Sequence, residues 1–359
     1  MSVKEVAYAA QQELEAITGR AFKRAHIYEL FASACKYKSH AACIASAVFT
    51  CAPELSDGFS LDARAVNERS LSLGYDAAVS LLASAKLTAF MAERFFSAIP
   101  LAELVGTLAS ADRSFEWIDR EALLEDLVLA ECLEAAADKG NALANYALAL
   151  LYAPDDEDED ANNDYWYSQR LAGHELSGAP KDWADAYAAR LVANEKYERH
   201  LRQAANLGIP DALFDLADRF GDPTFFQTAP PQIDADPKWV SEVAERLGRF
   251  EDAHRWLSLA AESGDIEAML ELIEGYDQAD PVRHWTWVYL AQELGTDFTR
   301  DQHEAINEDG SPYDDDAGGP CYVGGRDALE LTPLDDKNDA IARRLADEMF
   351  DRIESRSGT

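Results

Sequence analysis

The sequence predicts an all-α protein: an α/α superhelical solenoid of helix-turn-helix repeats with a small helical N-terminal module. The leading observation is a pattern, Leu-x-x-Ala-Ala-x-x-Gly-x-x-x-Ala-x-x-x-Leu-x-x-x-(Tyr/Phe), that occurs three times. The first copy is Leu133, Ala136, Ala137, Gly140, Ala144, Leu148 and Tyr152. The second is Leu201, Ala204, Ala205, Gly208, Ala212, Leu216 and Phe220, and the third is Leu257, Ala260, Ala261, Gly264, Ala268, Leu272 and Tyr276. Recurrence at seven matched offsets marks a stacked repeat, because one hairpin cannot bury its own apolar face. The second observation is the spacing within a copy. Apolar residues three and four apart before the glycine share one helical face, and Ala, Leu and the aromatic share another after it. The glycine ends the first helix because it takes the left-handed conformation without a Cβ clash. The alanines allow close approach of the two helices, and the Leu and the aromatic are expected to fill the space between hairpins. The third observation is that no apolar run approaches the ~18 residues of a membrane span.

Taken in order, residues 1–52 read as the N-terminal module. Val3 to Ile17 fits an amphipathic helix, Gly19 breaks it, and Phe22 to Ala34 and Ala41 to Phe49 make two more. Pro53 to Gly58 reads as a linker. Residues 59–126 are an alanine-rich helical lead-in. They include a degenerate repeat fragment at Gly74, Ala78 and Leu82, and a helix start at Ser114 to Trp117. Residues 127–298 hold the repeats with insertions: an acidic loop at Asp155 to Asp160, two helices between Trp166 and Glu195, and a proline-interrupted stretch at 221–237. A half copy follows at Trp287, Val288, Ala291 and Gly295. Residues 299–334 read as an irregular Gly/Pro/Asp-rich insertion. Residues 335–359 read as a capping helix with Ile341, Leu345, Met349 and Ile353 in a stripe.

The segment His254 to Tyr276, HRWLSLAAESGDIEAMLELIEGY, resembles the Sel-one-like repeats, relatives of the tetratricopeptide repeats. The resemblance covers roughly residues 127–298. It implies an α/α solenoid that acts as an adaptor or scaffold and has no shared catalytic residues. The spacing departs from the family's regularity: Gly140 to Gly208 is 68 residues, Gly208 to Gly264 is 56 and Gly264 to Gly295 is 31. An evenly curved groove is therefore not implied.

Charge narrows the function classes. The net charge is −35, yet residues 1–50 carry six Lys/Arg against four Asp/Glu, so the rest of the chain carries −37. Such a surface repels nucleic-acid phosphates and anionic lipid, and it steers a basic partner toward encounter. It also serves solubility. Lys23, Arg24, Lys36 and Lys38 have a helix-turn-helix-like spacing, but scattered cations on a small domain are ordinarily a solvated face. The start of the chain lacks the layout of a secretory signal, and five irregularly spaced cysteines make no disulfide framework, which points to a bacterial cytoplasm.

Motifs for chemistry are weak. Cys35, His40, Cys43 and Cys51 lack the paired short spacers of a zinc site and read as buried free thiols. Asp160, Asn162 and Asp164 have calcium-loop spacing, but Tyr165 and Leu171 replace the turn Gly and the bidentate Glu. The glycines from Gly318 to Gly325 lack the following Lys-Ser/Thr of a phosphate cradle. No cofactor or metal is implied.

Trp166, Trp183, Trp256, Trp285 and Trp287 are the candidate partner-binding residues, since tryptophans anchor interfaces. Trp256 and Trp287 occupy equivalent repeat positions, which favours packing for those two. The expected function is a non-catalytic scaffold or adaptor that binds a protein or peptide, basic in surface, in an acidic groove. The alternatives are a neutralising inhibitor or antidote of a basic effector, and a hydrolase using groove carboxylates.

Overall fold

The computed structural model describes residues 1–55, 60–114, 119–154, 163–228, 233, 235–307, 311, 313 and 321–357. The end of the expected linker, the Asp155 to Asp160 loop and Asn162 lie outside the described residues. So do residues 115–117, Pro230, Pro231, Gly310, Pro312, Gly318, Gly319 and Pro320. The described residues are predominantly helical, with no strand among them between 127 and 298. No described helix is long and apolar enough to cross a membrane. The chain forms two compact units, Met1–Leu216 and Ala217–Thr359.

The first unit opens with α1 (Val3–Thr18), started by a Ser2–Glu5 capping box and ended by Gly19 in the left-handed conformation. α2 (Arg24–Ala34) and α3 (His40–Ser46) lead into β1 (Ala47–Thr50). α4 (Ala63–Ser72) and α5 (Ala77–Glu93) precede β2 (Ser97–Pro100), which pairs antiparallel with β1. α6 (Leu101–Ser114), α7 (Arg120–Glu125), α8 (Leu127–Ala137), α9 (Ala142–Tyr152), α10 (Asn163–Leu171) and α11 (Ala179–Asn206) follow. The division between units falls within α12 (Pro210–Phe220).

The helix expected through Phe49 stops at Ser46, and β1 takes its last residues. The reason is that these side chains serve two cores. Ala47 and Phe49, with Ala98, enter a core built by α1, α2, α4 and α5. Val48 and its partner Ile99 enter a second core built by α6, α8, α9 and α11. Alternation along an extended chain sends neighbours to opposite faces, which a helix cannot do. Most of the buried apolar residues of 1–52 thus share a core with residues between 66 and 128, while Val48 and Ala52 belong to the second core.

The repeat offsets are buried alike. The two Leu and three Ala of every copy are no more than 8 % exposed. Gly140, Gly208 and Gly264 have φ of 82°, 93° and 105°. The residue after each glycine donates to the carbonyl of the first repeat alanine: Asn141 to Ala136 and Ile209 to Ala204 at 3.1 Å, Asp265 to Ala260 at 3.2 Å. These are the long bonds of a Schellman end, which need a left-handed residue at the glycine. A Cβ at Gly140 or Gly208 would meet nothing within 4 Å, so substitution acts on the backbone alone. Alanine at either position is expected to cost about 1–2 kcal/mol of stability, read by chemical denaturation. No loss at either would contradict the assigned role.

Two repeat details differ from expectation. The aromatic position is not fully buried: Phe220 is 39 % exposed, and Tyr152 and Tyr276 are half-buried against the edges of their cores. It sits at the last turn of its segment; the Tyr152 ring stacks on His200, next to the second copy's Leu201 and so between hairpins, whereas the Tyr276 ring stacks on His254 of its own copy. In the first gap the two expected helices are α10 and α11, but α11 continues unbroken to Asn206. The first helix of the second copy is therefore the end of a 28-residue helix.

The second unit continues with α13 (Thr224–Gln227), α14 (Pro237–Arg246), α15 (Phe250–Glu262) and α16 (Ile266–Glu271). A π-helical turn, Leu272–Tyr276, leads on to α17 (Pro281–Glu293). The insertion at 299–334 contains an antiparallel pair, β3 (Gln302–Ile306) and β4 (Tyr322–Arg326). α18 (Asp336–Ser357) sets Met349, Phe350 and Ile353 against the core of α15, α16 and α17. Val288 and Ala291 of the half copy are fully buried in that core, and Gly295 has φ 97°.

Candidate functional site

The tryptophans fall into two kinds. Trp256 and Trp287 are core residues of the second unit; Trp256 lies 6.2 Å from the Phe225 ring, and the Trp287 indole donates into the protein. Neither presents a free aromatic face. Trp285 is half-buried, lies tilted at 5.4 Å from the Tyr289 ring and donates its Nε1–H to the Thr332 carbonyl at 2.8 Å. In the first unit, Trp166 of α10 and Trp183 of α11 are brought together, with ring centroids 6.4 Å apart and Trp183 exposed.

An exposed apolar surface lies on α5. Ala78, Leu81, Leu82, Ala85 and Ala89 recur at helical spacing and are all exposed, Leu81 at 66 % and Leu82 at 47 %. Ala78 and Leu82 hold the offsets from Gly74 that bury Ala144 and Leu148 after Gly140. Cap spacing explains why they face outward. Asn141 and Asp265 cap their helices one residue after the glycine, whereas Asp76 caps α5 two residues after Gly74. One extra residue rotates the helix by ~100°, so Ala83 and Leu87 take the buried side.

A charge borders the face at its C-terminal end, where exposed Glu93 stands four residues after Ala89 and lies 3.6 Å from Arg94. The lysine of this helix, Lys86, is drawn to Glu13 of α1 at 2.7 Å. At the end of α5, Phe95 has φ 52° and is 53 % exposed. It fills the left-handed position of a helix end, where the Phe96 N–H reaches the Met91 carbonyl at 2.9 Å. A bulky residue there is strained and marks a surface worth attention.

The densest polar constellation is in the second unit. Asp277 follows the π-helical turn and is 4 % exposed. Its Oδ1 accepts from His254 Nε2, and its Oδ2 accepts from Arg283 Nε and Trp287 Nε1, each at 2.9 Å. Arg283 Nη2 also donates to Ser258 Oγ at 3.1 Å, and Ser258 donates to the His254 carbonyl at 2.8 Å. The His254 ring lies parallel to Tyr276 at 5.2 Å, and the Tyr276 hydroxyl donates to Glu245. Burial, then the Glu245 carboxylate, raises the Tyr276 pKa. A carboxylate orienting an imidazole is half of a catalytic triad, but Ser258 is committed to Arg283 and the backbone. The arrangement ties α15, the π turn and α17 together. The sequence marks Tyr276 and Trp287 for their repeat positions alone; Asp277, Arg283, Ser258 and Glu245 belong to no motif.

Cys35, Cys43, Cys51 and Cys132 pack at the core around β1. Burial pushes the Cys35 and Cys43 thiols up to about 12, and Cys51 and Cys132 to about 11, which keeps them protonated at neutral pH. His40 lies parallel to the Phe49 ring at 6.3 Å. Among the described residues, three metal-type ligands converge at one place only, the exposed Asp301, His303 and Asp327. Comparison of the chain with protein-family models, with curated proteins and with solved structures returned no match.

Proposed function

We propose that the chain is a non-catalytic helical-repeat protein of the Sel-one-like kind that binds another protein. The observation that carries this reading is the exposed apolar face of α5, bordered at one end by Glu93. It exposes two leucines and a run of alanines in a chain whose residues are 28 % charged. Contiguous exposed apolar surface of this kind marks an interaction site, because water contact with it is relieved only by a partner. Small residues beside the leucines suit the close approach of a partner helix, and Phe95 supplies an aromatic anchor at one end. The occupant is an amphipathic helix whose apolar stripe covers α5. Basic residues on its flanks would match a chain of net charge −35, which speeds encounter more than it deepens affinity.

The test uses the full-length chain as bait in crosslinking capture, beside an L81E/L82E variant of matched helicity. The expected result is a protein recovered by the wild type and lost with the variant, in reduced yield at high salt. The same proteins recovered from both would overturn the assignment of the face.

A further inference from the structure

A second site lies in the first unit, away from α5. The end of α9 and one face of α11 border an open cleft of about 360 Å³ lined by Tyr152, Ala188, Ala189, Val192, Ala193 and Lys196, with Val192 53 % exposed. This is within the size range of small-molecule sites. Its walls are methyl groups and one aromatic ring, and Lys196 is the one charge among them. Lys196 Nζ donates to the Tyr152 hydroxyl at 3.0 Å and lies 4.5 Å from the ring centroid.

The face continues past the cleft. Arg199 and His200 stand three and four residues beyond Lys196, on the same side of α11. His200 is buried, its ring stacked on Tyr152 with centroids 6.4 Å apart. Its Nδ1–H donates to Asn145 Oδ1 at 3.1 Å, which leaves Nε2 to accept from Arg199 Nη2 at 3.0 Å. Burial, then Arg199 and Lys196, lowers its pKa to about 4, so the ring is neutral and the two cations remain the local charge.

These cations are set apart from their neighbours. Arg170 and Lys181 pair with Asp185, and Arg202 pairs with Glu198. Among the described residues neither Lys196 nor Arg199 has a carboxylate partner. The contrast matters in a chain with 67 Asp and Glu against 32 Lys and Arg. An apolar cleft ending in two uncompensated cations selects an anion with an apolar body and rejects a cation.

We propose that this cleft binds a small organic monocarboxylate, its hydrocarbon body against Ala188, Ala193, Val192 and the Tyr152 ring, its carboxylate on Lys196 and Arg199. The pairing is charge-assisted.

Titration calorimetry on the full-length chain tests it with sodium octanoate and, as the uncharged match, 1-octanol. Octanoate is expected to saturate one site and to bind about tenfold tighter than octanol, the effect of one partly buried charge pair. The K196Q/R199Q variant is expected to erase that difference. A193F is expected to close the cleft to both probes, and R202Q to change neither. Should A193F fail to fold, by its far-UV circular dichroism melt, the surface pair K196Q/R199Q decides. Equal affinity for the two probes, octanoate binding indifferent to K196Q/R199Q, or no saturable octanoate binding would each overturn the proposal.

Discussion

Replacing Asp277 with alanine is expected to weaken the second unit by about 3–5 kcal/mol, the range for breaking a buried ion pair from one side. The substitution strips three donors at once, from His254, Arg283 and Trp287, each held at 2.9 Å. The Trp287 indole is left with a buried N–H and no acceptor, and Arg283 loses the charge beneath it. The loss is worse than that of a neutral hydrogen bond, because a carboxylate accepting from a guanidinium is a charge-assisted pair. Hydrogen exchange on the full chain reads the effect locally. Amides of α15 and α17 should exchange roughly a hundredfold faster or more, since each 1.4 kcal/mol is a factor of ten. D277N keeps one acceptor oxygen and should fall between. Exchange within about threefold of wild type would mean that the network contributes little.

Much of the helical organisation is legible in the sequence, for a physical reason: a buried helical face imposes its periodicity on the chain. Leu148, Leu216 and Leu272, at matched offsets, are all buried. The equivalent placement of Trp256 and Trp287 likewise signals packing. What escapes are features whose partners are far apart in the chain. Val48 and Ile99 meet across a four-residue strand, too short to carry a period against the helices around it. Asp277 gathers donors from two helices, and only the register of a π turn aims it inward. The α5 face was legible in part. Ala78 and Leu82 match the repeat offsets, but the position of Asp76 relative to Gly74 decides which way they point.

The bond between the start of the chain and the repeats makes the last prediction. Asp126 stands at the beginning of α8, where its Oδ1 caps the Val128 N–H at 3.0 Å. Its Oδ2 reaches back to the end of β1 and accepts from Thr50 Oγ1 at 2.8 Å and the Cys51 N–H at 2.7 Å. One carboxylate thus starts a repeat helix and pins a strand 76 residues earlier. D126A removes the cap, worth about 1 kcal/mol, and orphans a fully buried Thr50 hydroxyl, worth about 1–3 kcal/mol more. A total near 3 kcal/mol is expected, with exchange accelerated together in β1, β2 and the first turn of α8. D126N separates the two roles, because its remaining oxygen can cap α8 while its amide group cannot accept from Thr50. Acceleration confined to α8 in D126A would show that the strand is held by its β2 pairing alone. Acceleration of both segments would show that α1 to α5 and the repeat helices of the first unit open as one cooperative structure. Their interleaved cores at Phe49 and Val48 require that behaviour.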